Sequence, residues 1–184
     1  MRSASVRLAK ITHRNSGKSK LFFEQAGCEA HFIGHLQTNK IKYVCGTARL
    51  IQSVDSPHLS DALQRKSCEL GIVSDILLQV NIGDEAQKGG VAESDLGALA
   101  ETVMACPNLR LRGLMCVPPA LSPEEARPYF ARMRERFARL ASAYPAQPID
   151  ILSMGMSHDY AVAIAEGATM VRIGSALFGP RAQK

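Results

Sequence analysis

The sequence predicts a parallel α/β fold, and two observations carry that expectation. From His31 onward, short apolar runs rich in β-branched residues alternate with stretches of helical periodicity. The turns between them hold proline and glycine where helices begin and end. A chain of 184 residues with 46% apolar composition can bury one good core, so a single domain is expected.

The elements follow in order. The first strand is His31 to Leu36, followed by a short helical stretch through Lys40 and Val44. A strand near Leu50 to Val54 leads to a helix that opens after Ser56-Pro57 and stops at Gly71. The β-branched run Ile76 to Ile82 precedes a helix through Leu96, Leu99 and Val103 that ends before Pro107. The next strand, Leu109 to Val117, runs into Pro118-Pro119. Ser122-Pro-Glu-Glu supplies a cap, a first-turn proline and a carboxylate three residues on, which is a capping box. Pro128 is expected to kink that helix or delay its regular part. Phe130, Met133, Phe137, Leu140 and Tyr144 form its apolar stripe, opposite Arg132, Arg134, Glu135, Arg136 and Arg139. A strand near Ile149 to Met154, a helix from about His158 to Glu166 closed by Gly167, and a strand Thr169 to Ile173 complete six strand-plus-helix units. An open doubly wound sheet and part of a (β/α)8 barrel both fit this pattern. A full barrel needs about 250 residues, which leaves roughly two units missing.

Bulk properties narrow the function classes. No apolar run approaches the roughly 20 residues of a membrane helix, so no membrane partner is expected. The five cysteines, Cys28, Cys45, Cys68, Cys106 and Cys116, are unevenly spaced with no CxxC pair. They are read as reduced thiols of a cytoplasmic protein, not a zinc site or disulfide frame. The net charge of +5 is carried by the start of the chain: Arg2, Arg7, Lys10, Arg14, Lys18 and Lys20 lie in a stretch without acids. Nucleic-acid binding through this basic leader is an alternative, but the rest is nearly neutral and no nucleic-acid partner is expected. The expected organisation is an atypical basic leader over residues 1–27 and a partial barrel over 28–184.

Two glycine-containing segments follow consecutive strands: Ser153-Met154-Gly155-Met156-Ser157 and Arg172-Ile173-Gly174-Ser175. Backbone N–H groups and hydroxyls there can cradle a phosphate, and barrels often keep such a site after their last two strands. Each segment alone would also serve as an ordinary strand-to-helix turn. His31 and His35 lack a third ligand, so no metal site is expected.

The stretches His31-Phe32-Ile33-Gly34-His35-Leu36-Gln37-Thr38-Asn39-Lys40, Leu111-Arg112-Gly113-Leu114-Met115, Leu152 through Ser157 and Met170 through Gly174 resemble the signature motifs of the pyridoxal phosphate homeostasis family. These are small relatives of the alanine racemase barrel. The resemblance runs from about Cys28 to Gly179. It implies a (β/α)8 TIM barrel of the alanine racemase type, here with about six of eight units, and pyridoxal 5'-phosphate (PLP) as cofactor. It further implies a non-catalytic carrier that buffers PLP and passes it to PLP-dependent acceptor enzymes. The implied cofactor-binding residues are Ser153, Gly155, Ser157, Arg172, Gly174 and Ser175, with His31 and Lys88 as rim contacts. Lys88 is otherwise read as solvated. Arg172 matches the arginine that faces the pyridine nitrogen in related racemases; a guanidinium keeps its proton, so the ring remains a poor electron sink.

Family members begin with a strand reading Val-Ser-Lys-Thr, whose lysine forms the Schiff base, and a second unit with Phe-Gly-Glu-Asn. Neither motif occurs here, and no Schiff-base lysine is identified. Lys10, in Val6 to Thr12, is the one replacement worth naming, although too few residues separate it from His31 to hold the intervening units. Two missing units would open the core, so a truncated or frame-shifted reading of a longer gene is expected, ahead of partner strands or a degenerate protein. A racemase-like enzyme is the main alternative. It would need a catalytic tyrosine, and Tyr43, Tyr129, Tyr144 and Tyr160 are all read as packing residues.

Overall fold

The structure is a computed structural model of the chain that describes residues 10–11, 28–85 and 87–179. Seven parallel strands form one sheet in the order β1 (Lys10–Ile11), β2 (His31–Phe32), β3 (Leu50–Val54), β4 (Ser74–Val80), β5 (Leu109–Cys116), β6 (Ile151–Met156) and β7 (Met170–Arg172). The helices are α1 (Pro57–Glu69), α2 (Leu96–Met104), α3 (Pro123–Ala143), α4 (Tyr160–Ala165) and α5 (Ser175–Phe178), with a 3-10 helix over Thr38–Tyr43. Sequential order in an all-parallel sheet is the order of a (β/α) barrel, whereas a doubly wound sheet reverses direction at a switch point.

Side chains settle the same question by distance. Three spacings separate β3 from β6, so in a flat sheet they would lie about 14 Å apart. Yet the Ser153 hydroxyl of β6 donates to Gln52 Oε1 of β3 at 2.7 Å, and Gln52 Nε2 donates to Met170 Sδ of β7 at 3.3 Å. The sheet must therefore curl, with these residues on its concave face. Among the described residues the curl remains open, and β1 and β7 are its two edges.

Alternation divides the core accordingly. Leu50, Leu77 and Met115 form a small cluster with Val117, Ile151 and Met170, all on the concave side. The larger core on the other side packs Ile51, Ile76, Leu78, Val80, Leu114, Cys116, Leu152 and Met154 against the helices, including Phe130 and Met133 of α3. Burying each such side chain contributes roughly 2 kcal/mol, so this outer layer dominates the stability.

Several boundaries differ from the sequence expectation. β2 covers only His31–Phe32, because Gly34 takes a left-handed φ of 109° that ends the extended run. Pro128 does not interrupt α3, which is assigned as one helix across it. It stands in the second turn, where a single lost N–H bond is outweighed by the buried Ala126, Phe130 and Met133. The capping box forms as expected: the Ser122 N–H and hydroxyl both donate to Glu125 Oε2, at 3.0 and 2.6 Å. A short helix, α5, follows Gly174 where no element was expected.

The leader expectation meets one finding. Lys10 and Ile11 lie within residues 1–27 yet form an edge strand, with Lys10 paired in parallel to His31 and Ile11 to Phe32. No strand stands between them, in keeping with the short connection. The other residues of that leader, Lys18 and Lys20 among them, lie outside the described residues.

Candidate cofactor site at the C-terminal ends of β6 and β7

β6 and β7 end side by side, so the turns that follow them are neighbours. Near the end of β6, Gly155 takes φ 89°, and a Cβ there would lie 2.5 Å from the Ala163 Cβ and 3.1 Å from the Tyr160 Cα. Glycine is thus required for α4 to pack back against its own strand. Asp159 closes this turn by accepting the Met156 N–H at 2.6 Å. The result carries Ser157 toward the end of β7. There its Oγ accepts two backbone N–H groups, from Gly174 at 3.0 Å and Ala176 at 3.3 Å.

Two amides converging on one oxygen make the geometry that holds a phosphate oxygen, and here a serine hydroxyl occupies it. Gly174 has a different character from Gly155. Its φ is −129°, and a Cβ built on it would meet nothing within 4 Å. Local sterics therefore do not explain the glycine, whereas open space beside a donating amide suits an approaching anion. Ser175 is exposed at the start of α5. Of the expected cup residues, Ser157, Gly174 and Ser175 are thus brought together, with Gly155 shaping the turn behind them.

Ser153 has a different place. It is fully buried, donates its hydroxyl proton to Gln52, and accepts from Arg172 Nη1 at 2.8 Å. Its one proton is directed to Gln52, and its oxygen accepts from Arg172. Arg172 Nη1 also donates to the Ser153 carbonyl at 3.0 Å, and Nη2 donates to the Cys116 carbonyl at 2.7 Å. All of these acceptors are neutral. Among the described residues no carboxylate bonds to the guanidinium, and its Nε–H has no partner. Burial lowers the Arg172 pKa, while Cys116 and Asp159 act in the opposite sense. The neighbouring Cys116 thiol is pushed up to about 12 by burial, against the pull of Arg172, so it is not a nucleophile at neutral pH.

The remaining candidates separate. His31 is buried, with Nδ1 3.1 Å from Gln52 Nε2, which ties it to the same concave-face chain as Arg172. His35 is exposed, so the two histidines do not form a pair. Lys88 is not the freely solvated lysine of the sequence reading. Its Nζ lies 2.6 Å from Glu85 Oε2 and donates to the Pro118 carbonyl at 2.8 Å, which joins the loop after β4 to the loop after β5. Among the described residues no group of acidic, histidine or cysteine side chains could hold a metal ion. Tyr43 and Tyr160 are exposed and do not pack as expected; Tyr129 and Tyr144 join the core.

Residues 23–182 match the sequence profile of the alanine racemase N-terminal domain. The pyridoxal phosphate homeostasis protein of Aquifex aeolicus is 49% identical over 154 residues, covering 83% of this chain and 67% of that protein. The chain belongs to the pyridoxal phosphate homeostasis family. The homeostasis protein of Haemophilus influenzae is 40% identical over 87% of the chain and 69% of its own length. The chain thus spans about two thirds of these relatives. Among solved structures, the family member PipY of Synechococcus elongatus with PLP bound superposes with a TM-score of 0.83 at 32% identity, over 95% of this chain and 82% of that one. D-threonine aldolase from Filomicrobium marinum, at 17% identity and a TM-score of 0.69, shares the fold alone.

Two features of the site escaped sequence reasoning. Gln52 was not singled out, although a polar residue between Leu50 and Val54 in a wholly buried strand was the available signal. The sequence shows Asp159 only as part of a helix, because its bond to the Met156 N–H depends on the geometry of the turn. The residues present fit a phosphorylated pyridine: a pair of convergent amides with open space, and a cation whose partners are all neutral.

Proposed function

We propose that this chain binds pyridoxal 5'-phosphate as a holder of the cofactor and not as a catalyst. The phosphate is received by the Gly174 and Ala176 amides with Ser157 and Ser175, in the turn that Gly155 shapes. Arg172 would hold the ring. The observation that carries the reading is the convergence of two amides on Ser157 Oγ, one strand end from Arg172.

Pyridoxal phosphate supplies an aldehyde and an electron-accepting ring when bound. The chain's own residues favour retention over turnover. Arg172 donates hydrogen bonds but does not give up a proton, so a ring nitrogen facing it stays unprotonated. Cys116, its closest thiol neighbour, stays protonated at neutral pH. His31 and Lys88 are kept as rim contacts, His31 through Gln52 and Lys88 through the loops it joins. The role that follows is maintenance of the cellular PLP balance in the cytoplasm, with PLP-dependent enzymes as recipients. The binding unit is assigned to residues 28–184, with the strand at Lys10–Ile11 paired to its edge.

The test is a visible absorbance spectrum of the purified chain mixed with pyridoxal phosphate, before and after borohydride reduction and peptide mapping. A saturable spectral change is expected, and mapping reports whether any lysine carries the reduced cofactor. A spectrum equal to the sum of free protein and free cofactor would rule the proposal out. Turnover of alanine between its enantiomers would replace it with the racemase-like reading.

A further inference from the structure

Gln52 lies on β3, over a hundred residues from the cup, and is 1% exposed. A primary amide buried this deeply costs stability unless both of its ends are hydrogen-bonded. Here each end has a partner on a different strand. Oε1 accepts the Ser153 hydroxyl from β6 at 2.7 Å; Nε2 faces His31 Nδ1 on β2 at 3.1 Å and donates to Met170 Sδ on β7 at 3.3 Å. These partners define which way the amide faces, since only the oxygen can accept from Ser153 while the nitrogen serves the sulfur.

That orientation has a consequence for Arg172. A serine hydroxyl has one proton, and Gln52 takes it at 2.7 Å. The Ser153 oxygen is left as an acceptor aimed at Arg172 Nη1, 2.8 Å away. The Cys116 carbonyl holds the other terminal nitrogen at 2.7 Å. Without Gln52, the Ser153 proton is free to rotate into the acceptor position that Arg172 uses. An arginine on the edge strand β7, with no carboxylate to anchor it among the described residues, would then lose part of its fixed geometry.

We propose that Gln52 is a positioning residue for the cofactor ring, acting through Ser153 to hold Arg172 in one orientation. The inference rests on the reading that the ring meets Arg172, and it adds the residue that sets that arginine's geometry. It also assigns Ser153 to the ring side of the site, away from the phosphate.

Two variants test it. Gln52→Met keeps length and removes both hydrogen-bonding ends; Gln52→Glu keeps the acceptor for Ser153. The first readout needs no cofactor: hydrogen exchange at the Arg172 Nη1 hydrogens, which bond to Ser153, followed by nitrogen-15 NMR and assigned by its loss in Arg172→Lys. Exchange is expected to quicken at least about tenfold in Gln52→Met, the equivalent of one buried hydrogen bond, and to stay near wild type in Gln52→Glu. The second readout is titration by absorbance. Gln52→Met is expected to weaken pyridoxal phosphate about tenfold while leaving competition by inorganic phosphate unchanged.

Unchanged Arg172 exchange in Gln52→Met overturns the positioning role, whatever the cofactor does. Equal losses for pyridoxal phosphate and inorganic phosphate also overturn it, because they mark a general structural defect. If Gln52→Met does not fold, Ser153→Ala takes its place with the same two readouts. Failure of the wild type to bind pyridoxal phosphate is a separate result that removes the cofactor reading, and the exchange measurement still decides the coupling of Gln52 to Arg172.

Discussion

The two ends of the strands use arginine in opposite ways. At the N-terminal ends, Arg110 and Arg112 of β5 meet Asp75 of β4 at 2.6 and 2.8 Å, and Arg112 also meets Asp150 at 2.8 Å. The hydrogen bond that Arg112 donates to Asp150 is the main cause of its raised pKa, with burial opposing it. Charge there is matched by charge. At the C-terminal ends, Arg172 is held by two carbonyls and a hydroxyl and has no carboxylate partner among the described residues. A neutralised cation locks the fold, whereas one held by dipoles keeps its charge for a ligand. The difference separates a stabilising rim from the proposed binding rim, the division that barrels generally show.

The largest expected effect breaks the stabilising rim. Asp75 has a side chain only 3% exposed, so Asp75→Ala leaves two arginines facing a buried void. A loss of about 3 kcal/mol in unfolding free energy is expected, read by urea denaturation, with pyridoxal phosphate affinity nearly unchanged at temperatures where the variant is folded. Gly155→Ala comes next and should affect both properties. The new methyl meets Ala163 at 2.5 Å on a left-handed backbone, so about 2 kcal/mol of destabilisation is expected, with loss of phosphate binding as the turn shifts.

Arg172→Gln sharpens the comparison from the other side. It removes a charge that no carboxylate balances together with donors to the buried Ser153 and Cys116, so a loss of only about 1 kcal/mol in stability is expected while pyridoxal phosphate affinity falls about tenfold or more, as measured by absorbance titration. Cys116 supplies a pH test. Its folded pKa of about 12 lies above the ordinary thiol value of 9.0, so its contribution is complete below pH 9 and is lost as pH rises toward 12. Denaturation midpoints should fall across that window, and less steeply in Cys116→Ala. At neutral pH the same thiol should resist alkylation until the chain unfolds.

The outer core was legible in the sequence because it is periodic. Leu50 to Val54, the helix after Ser56 and the stripe of α3 all report burial through spacing alone. The candidate phosphate turn is legible in composition: Gly155, Ser157 and Gly174 are small residues at or just past strand ends. What periodicity could not supply was curvature. The open sheet and the barrel predict the same alternation, and the sequential strand order together with the contact of Gln52 with Ser153 across 101 positions separates them. The roles of Ser153 and Lys88 were obscured for a related reason. Each is decided by a partner distant in sequence, Gln52 in one case and Pro118 in the other, and no local pattern names such a partner. The short connection to His31 argues against a strand at Lys10 with two units between, and the fold pairs the two strands directly.

The central claim is that two backbone amides and Ser157 receive a phosphate while Arg172 receives the ring. The most direct test is a parallel absorbance titration of the wild type, Ser157→Ala and Arg172→Gln with pyridoxal phosphate and with pyridoxal, which lacks the phosphate. The account predicts that the wild type saturates with pyridoxal phosphate and far more weakly with pyridoxal. It also predicts that Ser157→Ala narrows that gap while Arg172→Gln weakens both ligands together. Equal affinity of the wild type for the two ligands, or binding untouched by either substitution, would contradict it.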